Sequence, residues 1–384
     1  MSNKLIIPSV LYMGEGSIAE SILEIAEKEK AKKILVFTDK GIIGAGLIDL
    51  LLNPLKENQI EYVVFDDLKP EPAYTDVENT RKQAEDHDGD LIVAFGGGSV
   101  MDAAKLCSIL KGSDYSVRDL LDNPGIASKQ MKLVAIPTTC GTGSEATCNA
   151  IVAIPEEEVK KGIVNNAMIP EYVILDSAVI RRLPKGIVAA TGVDALAHCV
   201  ECYTSKKATP LSDTYALAGA KLIFENIREA YANPDNMEAK NAMMLGAFYG
   251  GVAITGSGTT AVHALSYPLG GKYHIAHGIS NAILFGHVMR MNKEACTEQL
   301  AELCDAINPE MTNASMDEKA DYVISEIEDI IAYTQIPTDL YSFGVQKEDL
   351  DFLVTSGSQQ TRLLVNNRKE LTLDDIRSIY LKVL

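Results

Sequence analysis

Asp194 and His198 stand four residues apart in a stretch, Gly192-Val-Asp-Ala-Leu-Ala-His198, that is otherwise small and apolar. On a helix, residues at i and i+4 differ by only about 40° in direction. A carboxylate and an imidazole so placed can share one divalent cation; an ordinary hydrogen-bonded pair is the plainer alternative. Of the six histidines in the chain, His263 lies in the segment 259–270 and His277 directly precedes Gly278. One Asp and three His form a hard-to-borderline N/O donor set that suits Fe2+ or Zn2+. Spacing alone leaves open whether the four meet.

A second chemical signal is Gly96-Gly97-Gly98-Ser99, between the apolar run 90–95 and the helix-like segment 100–106. Glycines let a backbone approach a ligand closely, and the N–H groups at a helix start attract an anion, so a pyrophosphate would rest here. A plain tight turn is the competing reading. Asp39 ends the apolar run 33–38, where its carboxylate could accept from a ribose 2′-hydroxyl and repel a 2′-phosphate, favouring NAD over NADP. A third polar segment, 137–147, holds Thr138, Thr139 and Thr147 among glycines and could cradle a diphosphate or a nicotinamide amide. A solvated loop is its alternative.

Cys199 and Cys202 form a C-x-x-C beside His198, but in mid-helix rather than at a helix start or in a knuckle. We read them as small buried thiols. The seven scattered cysteines make no disulfide framework and suit a reducing cytosol. A formal charge of −18 argues against a nucleic-acid partner, which needs a basic surface. The opening residues lack a charged segment followed by an unbroken apolar one, so no signal peptide is expected. No run approaches the length that spans a bilayer. A cytoplasmic protein without a membrane partner is expected.

The elements that must hold these groups fall into two kinds. Segments 33–38, 61–65, 90–95 and 132–137 read as strands, with helices expected over 46–58 and 77–87 between them. Strands alternating with helices predict a parallel sheet covered on both faces. From about Pro184 the strand-like runs nearly vanish, and 187–203, 213–232, 239–256 and 320–334 carry helical periodicity. Thr372, with Asp375 three residues on, predicts a capping box ahead of a last helix. The expectation is an α/β nucleotide domain over 1–184 and an all-helical metal-binding domain over 185–384.

The motifs Gly-Gly-Gly-Ser-Val-Met-Asp-Ala-Ala-Lys, Ile-Pro-Thr-Thr-Cys-Gly-Thr-Gly-Ser-Glu, Gly-Val-Asp-Ala-Leu-Ala-His and Val-His-Ala-Leu-Ser-Tyr-Pro-Leu-Gly-Gly, with His-Gly-Ile-Ser-Asn-Ala after them, resemble the iron-containing (group III) alcohol dehydrogenases. The match runs over nearly the whole chain. It implies a Rossmann-like parallel-sheet domain and a helical domain in the dehydroquinate synthase-like arrangement. It places metal ligation (Fe2+, with Zn2+ as the alternative) on Asp194, His198, His263 and His277. It places NAD contacts on Asp39, Gly97, Gly98, Ser99, Asp102, Thr138, Thr139, Thr147 and Lys160. Some relatives form large oligomers, so a homodimer or larger assembly is expected.

Two departures from the family pattern stand out. Tyr267 occupies a position that is often His in the family, and Glu71 one that is usually Asn. Tyr267, His274 or water would then supply the proton. Both departures, with the tail segment 359–367, resemble the 4-hydroxybutyrate dehydrogenase subgroup, whose substrate pair is 4-hydroxybutyrate and succinate semialdehyde. Such a carboxylate calls for a cation, and Arg362 and Lys272 are the candidates. Three other readings remain: a general short-chain alcohol dehydrogenase, a lyase of the dehydroquinate synthase type, and an inactive assembly protein.

Overall fold

The computed structural model describes residues 3–157 and 159–384. It divides into a sheet unit, Ile6–Thr139 with Gly143–Arg182, and a helical unit, Leu183–Leu384 with Cys140–Thr142 and residues 3–5. The loop expected to act as one phosphate cradle is therefore split, three of its residues belonging with the helices.

The sheet unit runs β1 (Val10–Met13), α1 (Ile18–Glu29), β2 (Lys33–Phe37), α2 (Lys40–Gly44), α3 (Asp49–Glu57), β3 (Glu61–Phe65), α4 (Tyr74–Glu85), β4 (Leu91–Gly96), α5 (Gly98–Leu110), α6 (Val117–Asp122), β5 (Leu133–Pro137), β6 (Asn149–Ile154), β7 (Val159–Val164) and β8 (Tyr172–Leu175). Six strands form one sheet in the order β1-β8-β5-β4-β2-β3, and every recorded pairing in it is parallel. All residues of β4 and β5 are buried, as their unbroken apolar runs require of strands covered on both faces. The chain moves outward from β2 to β3, then returns to place β4 on the other side of β2. That reversal sets the carboxyl ends of β2 and β4 side by side, the place where open α/β sheets bind nucleotides.

The sequence-based reading covers four of these six strands. The helix expected over 46–58 is α3, which starts at Asp49 because Gly46 sits at φ +69°, and the turn expected ahead of it holds the short helix α2. Strands β6 and β7 pair antiparallel as a separate hairpin.

The helical unit comprises α7 (Lys185–Tyr203), α8 (Pro210–Ala232), α9 (Met237–Ser257), α10 (Ala261–Tyr273), α11 (His277–Ile307), α12 (Met316–Tyr333), α13 (Leu350–Ser358), α14 (Thr361–Leu364) and α15 (Leu373–Tyr380). Of the 19 residues of α7, 14 are buried, so it is the central helix, and its polar side chains from Asp194 to Tyr203 face protein rather than water. Helices α8 and α9 approach each other through glycines: a Cβ on Gly219 would meet the Cys199 sulfur at 2.8 Å and the Gly246 carbonyl at 3.0 Å. The capping box before α15 is present, with the Thr372 and Asp375 side chains each accepting the other's backbone N–H. Among the described residues, no helix is long and apolar enough to cross a membrane.

Candidate metal centre and nucleotide turn

The ligand atoms of Asp194, His198, His263 and His277 lie within 4.8 Å of one another. Helix α7 supplies the first two from one face, α10 supplies His263 from its first turn, and His277 is the first residue of α11. From Asp194 Oδ1 the Nε2 atoms of His198, His263 and His277 are 3.9, 3.7 and 3.6 Å away. A tetrahedral ion with bonds near 2.1 Å would hold its donors about 3.4 Å apart, so each histidine needs to approach the Asp194 oxygen by only a few tenths of an ångström.

Neighbouring groups aim these side chains. The Gly141 carbonyl lies 3.3 Å from His198 Nδ1, and Gly141 itself has no room for a Cβ, which would meet Thr191 at 2.6 Å. Glu201, fully buried one turn beyond His198, bonds His263 Nδ1. The amide nitrogen of Asn281 donates to Asp194 Oδ1 at 2.7 Å and sits 3.1 and 3.2 Å from His263 and His277 Nε2. It thus presents positive N–H groups to the lone pairs a cation would take. Asn281 Oδ1 is buried with no hydrogen-bond partner among the described residues, an orphaned acceptor beside a donor cluster.

Burial disfavours charge on Asp194, yet the imidazoles of His198, His277 and His263 hold its carboxyl far below the usual range. Burial lowers His198 in spite of Asp194. Burial also pulls on His263, but Glu201 and Asp194 outweigh it and raise that imidazole. Two buried carboxylates at one centre carry a charge that a divalent cation balances, and the donor set fits Fe2+ or Zn2+.

In the sheet unit, Gly97 caps α5 in an extended conformation, and the residues at the head of this 13-residue helix follow β4 directly. A Cβ on Gly97 would reach Thr139 at 3.7 Å, which puts Thr139 beside the turn. The Thr138 N–H is bonded to the Gly96 carbonyl at 3.0 Å. Asp39 follows β2, and its Oδ1 accepts from the N–H groups of Gly41 and Ile42. The Ser99 hydroxyl accepts from the Glu71 N–H at 2.9 Å, and Glu71 Oε1 pairs with Lys160 Nζ at 2.7 Å. Asp102 and Thr147 are committed differently. Asp102 accepts from the Ser144 hydroxyl and the Ile151 N–H and pairs with Lys105, while Thr147 accepts from Lys105, whose amine is fully buried. Both tie the segment after β5 to α5.

Two family models cover most of the sequence: one described as iron-containing alcohol dehydrogenase over residues 8–177, the other as the C-terminal part of that family over residues 188–384. The chain belongs to the iron-containing alcohol dehydrogenase family. A long-chain-alcohol dehydrogenase from Geobacillus thermodenitrificans is 35% identical over 98% of this chain and 95% of its own. The crystal structure of a 1,3-propanediol oxidoreductase superposes with a TM-score of 0.93 at 30% identity, covering 100% of both chains. A sulfoacetaldehyde reductase from Bifidobacterium kashiwanohense, solved in complex with NAD+, gives 0.89 at 29% identity over 100% of this chain and 99% of that one.

Within this alcohol dehydrogenase, the other residues singled out in the sequence are less central. Tyr267 is half-buried with its ring 6.2 Å from that of His277, whereas His274 is exposed at the left-handed C-cap of α10. Lys272 pairs with Asp349 at 3.1 Å and lies 4.2 Å over the Phe352 ring, and Arg362 is exposed on α14. Cys199 and Cys202 are fully buried thiols pushed up by burial, in line with the structural reading. Sequence reasoning missed Glu201 and Asn281. Glu201 was visible as the second acid of an otherwise apolar helix, three residues past His198 and seven past Asp194. Asn281 falls four residues after His277, on the same face of α11.

Proposed function

We propose that the protein is an NAD-dependent, divalent-metal-activated oxidoreductase interconverting a primary alcohol and its aldehyde. The convergence of Asp194, His198, His263 and His277 carries this reading. The bound cation supplies Lewis acidity toward the substrate oxygen, and NAD supplies the hydride carrier. The chain's own contribution is to hold and orient. Gly141 and Glu201 fix the rings of His198 and His263, and Asn281 fixes the carboxylate of Asp194. The amides of Gly97, Gly98 and Ser99 receive the pyrophosphate at the start of α5, Thr138 and Thr139 lie alongside, and Asp39 accepts from the ribose. Asp102 and Thr147 serve the cofactor by anchoring the segment after β5, and Lys160 serves it under the control of Glu71. Tyr267, beside His277, is the proton donor of choice over the exposed His274.

The substrate pair we propose is 4-hydroxybutyrate and succinate semialdehyde. Its support is Tyr267, Glu71 and the tail segment. Lys272 is engaged by Asp349, which leaves Arg362 as the cation for the substrate carboxylate. A general alcohol dehydrogenase is the second reading, favoured by the same engagement of Lys272.

The test is NADH oxidation by anaerobically iron-loaded enzyme with succinate semialdehyde, butanal and lactaldehyde. A preference for the semialdehyde of about 100-fold in kcat/KM, roughly 3 kcal/mol, supports a charged partner for its carboxylate. Equal or better rates with the uncharged aldehydes select the second reading. No NADH consumption with any of them overturns both.

A further inference from the structure

We propose that Glu201 is a positioning residue for the metal centre: it holds the proton of His263 on Nδ1 and thereby keeps the Nε2 lone pair for the cation. This rests on the metal reading above and identifies the group that makes His263 a ligand. A neutral imidazole carries one N–H and one lone pair, and the partner of one nitrogen decides which is which. His263 Nε2 faces Asp194 Oδ1 at 3.7 Å, inside the ligand cluster, and Nδ1 faces Glu201 Oε2. An ionised carboxylate only accepts, so Nδ1 meets it as a donor and Nε2 is left bare.

Glu201 has no freedom to do otherwise. Its second oxygen accepts from the Thr260 N–H at 3.0 Å, the Thr260 hydroxyl at 2.6 Å and the Val262 N–H at 2.8 Å. These donors belong to the start of α10, two of them backbone groups without a partner inside the helix. One side chain therefore caps α10 and sets the tautomer of the ligand that α10 carries. Asp194, His198 and Glu201 sit at i, i+4 and i+7 of α7, so a single helical stripe supplies two ligands and the orienter of a third.

Glu201→Gln separates the two duties. A glutamine that keeps its oxygen toward the three α10 donors turns its amide N–H groups toward His263 Nδ1. That nitrogen must then accept, Nε2 takes the proton, and His263 ceases to be a ligand while the helix cap survives.

The experiment is Zn2+ and Co2+ binding by chelator competition on the full chain, with the cobalt absorption spectrum and the melting point of metal-free protein alongside. The expected result is affinity reduced about 10- to 100-fold with an altered cobalt spectrum. The metal-free melting point should stay within about 4 °C of the parent. Parent-like affinity and spectrum in Glu201→Gln overturn the inference but leave the metal reading standing. Failure of the parent itself to bind either ion overturns the metal reading. Should the variant not fold, 15N NMR of histidine-labelled, zinc-loaded parent decides. A proton on His263 Nδ1 supports the assignment, and a proton on Nε2 overturns it.

Discussion

A Cβ on Gly278 would lie 2.2 Å from the carbonyl oxygen of Ala190, so the first turn of α11 rests directly on the backbone of α7. That contact sets His277 against Asp194 and His198. Gly278→Ala must push the two helices apart, and backbone cannot yield as a flexible side chain can. We expect a loss of about 1–3 kcal/mol in stability, seen by denaturant titration, together with weaker metal binding. A variant with unchanged stability and metal affinity would show that the spacing of α7 and α11 does not govern the centre.

Asp39 caps α2 through Oδ1 and stands at the end of β2, beside β4 and the glycine turn that follows it. Asp39→Ser keeps a capping oxygen but removes the negative charge. The ratio of kcat/KM with NADP to that with NAD should rise about 10-fold or more, equivalent to about 1.4 kcal/mol, while the melting point holds. An unchanged ratio would remove Asp39 from cofactor selection.

Lys272 and Arg362 should separate cleanly. Lys272→Ala breaks an ion pair with Asp349 and a cation–π contact with Phe352, a structural loss that leaves kcat/KM for succinate semialdehyde within about 2-fold. Arg362→Ala should lower that kcat/KM about 10- to 100-fold and spare butanal, as loss of a charge-assisted hydrogen bond would. The reverse pattern would move the carboxylate site to α10.

Glu145, 2% exposed in the segment after β5, has its carboxyl pushed up by burial from 4.5 to about 7. The folded state therefore holds a proton that the unfolded chain releases near pH 4.5. Stability contributed by the protonated acid is present below that pH and falls as pH rises toward 7, by about 3 kcal/mol across the window. Glu145→Gln should flatten this part of the stability–pH profile and be the more stable protein at pH 8. Equal slopes in parent and variant between pH 5 and 7 would assign the dependence to other groups.

The fold was legible where local signals and tertiary demands agree. The apolar runs of β4 and β5 announce strands covered on both faces, and Thr372 with Asp375 announces the start of α15. Strands β1 and β8 were not read, for they are four residues each and β1 alternates partly buried and exposed positions at the sheet edge. The four candidate ligands were legible as residue types, but their meeting depends on Gly278 and Gly141, whose lack of a Cβ matters only once α7 is in place. The family resemblance puts Asp102 among the NAD contacts. Only the burial of Lys105 shows what its carboxylate holds.

The central claim is that Asp194 and the three histidines hold a cation on which turnover depends. It is tested most directly by following NADH-linked aldehyde reduction in one preparation before chelation, after complete metal removal, and after returning Fe2+ or Zn2+, with Asp194→Asn carried in parallel. The account predicts that activity disappears with the metal and returns with about one ion per chain, and that Asp194→Asn cannot be restored. Full turnover by metal-free protein, or by Asp194→Asn, would contradict it.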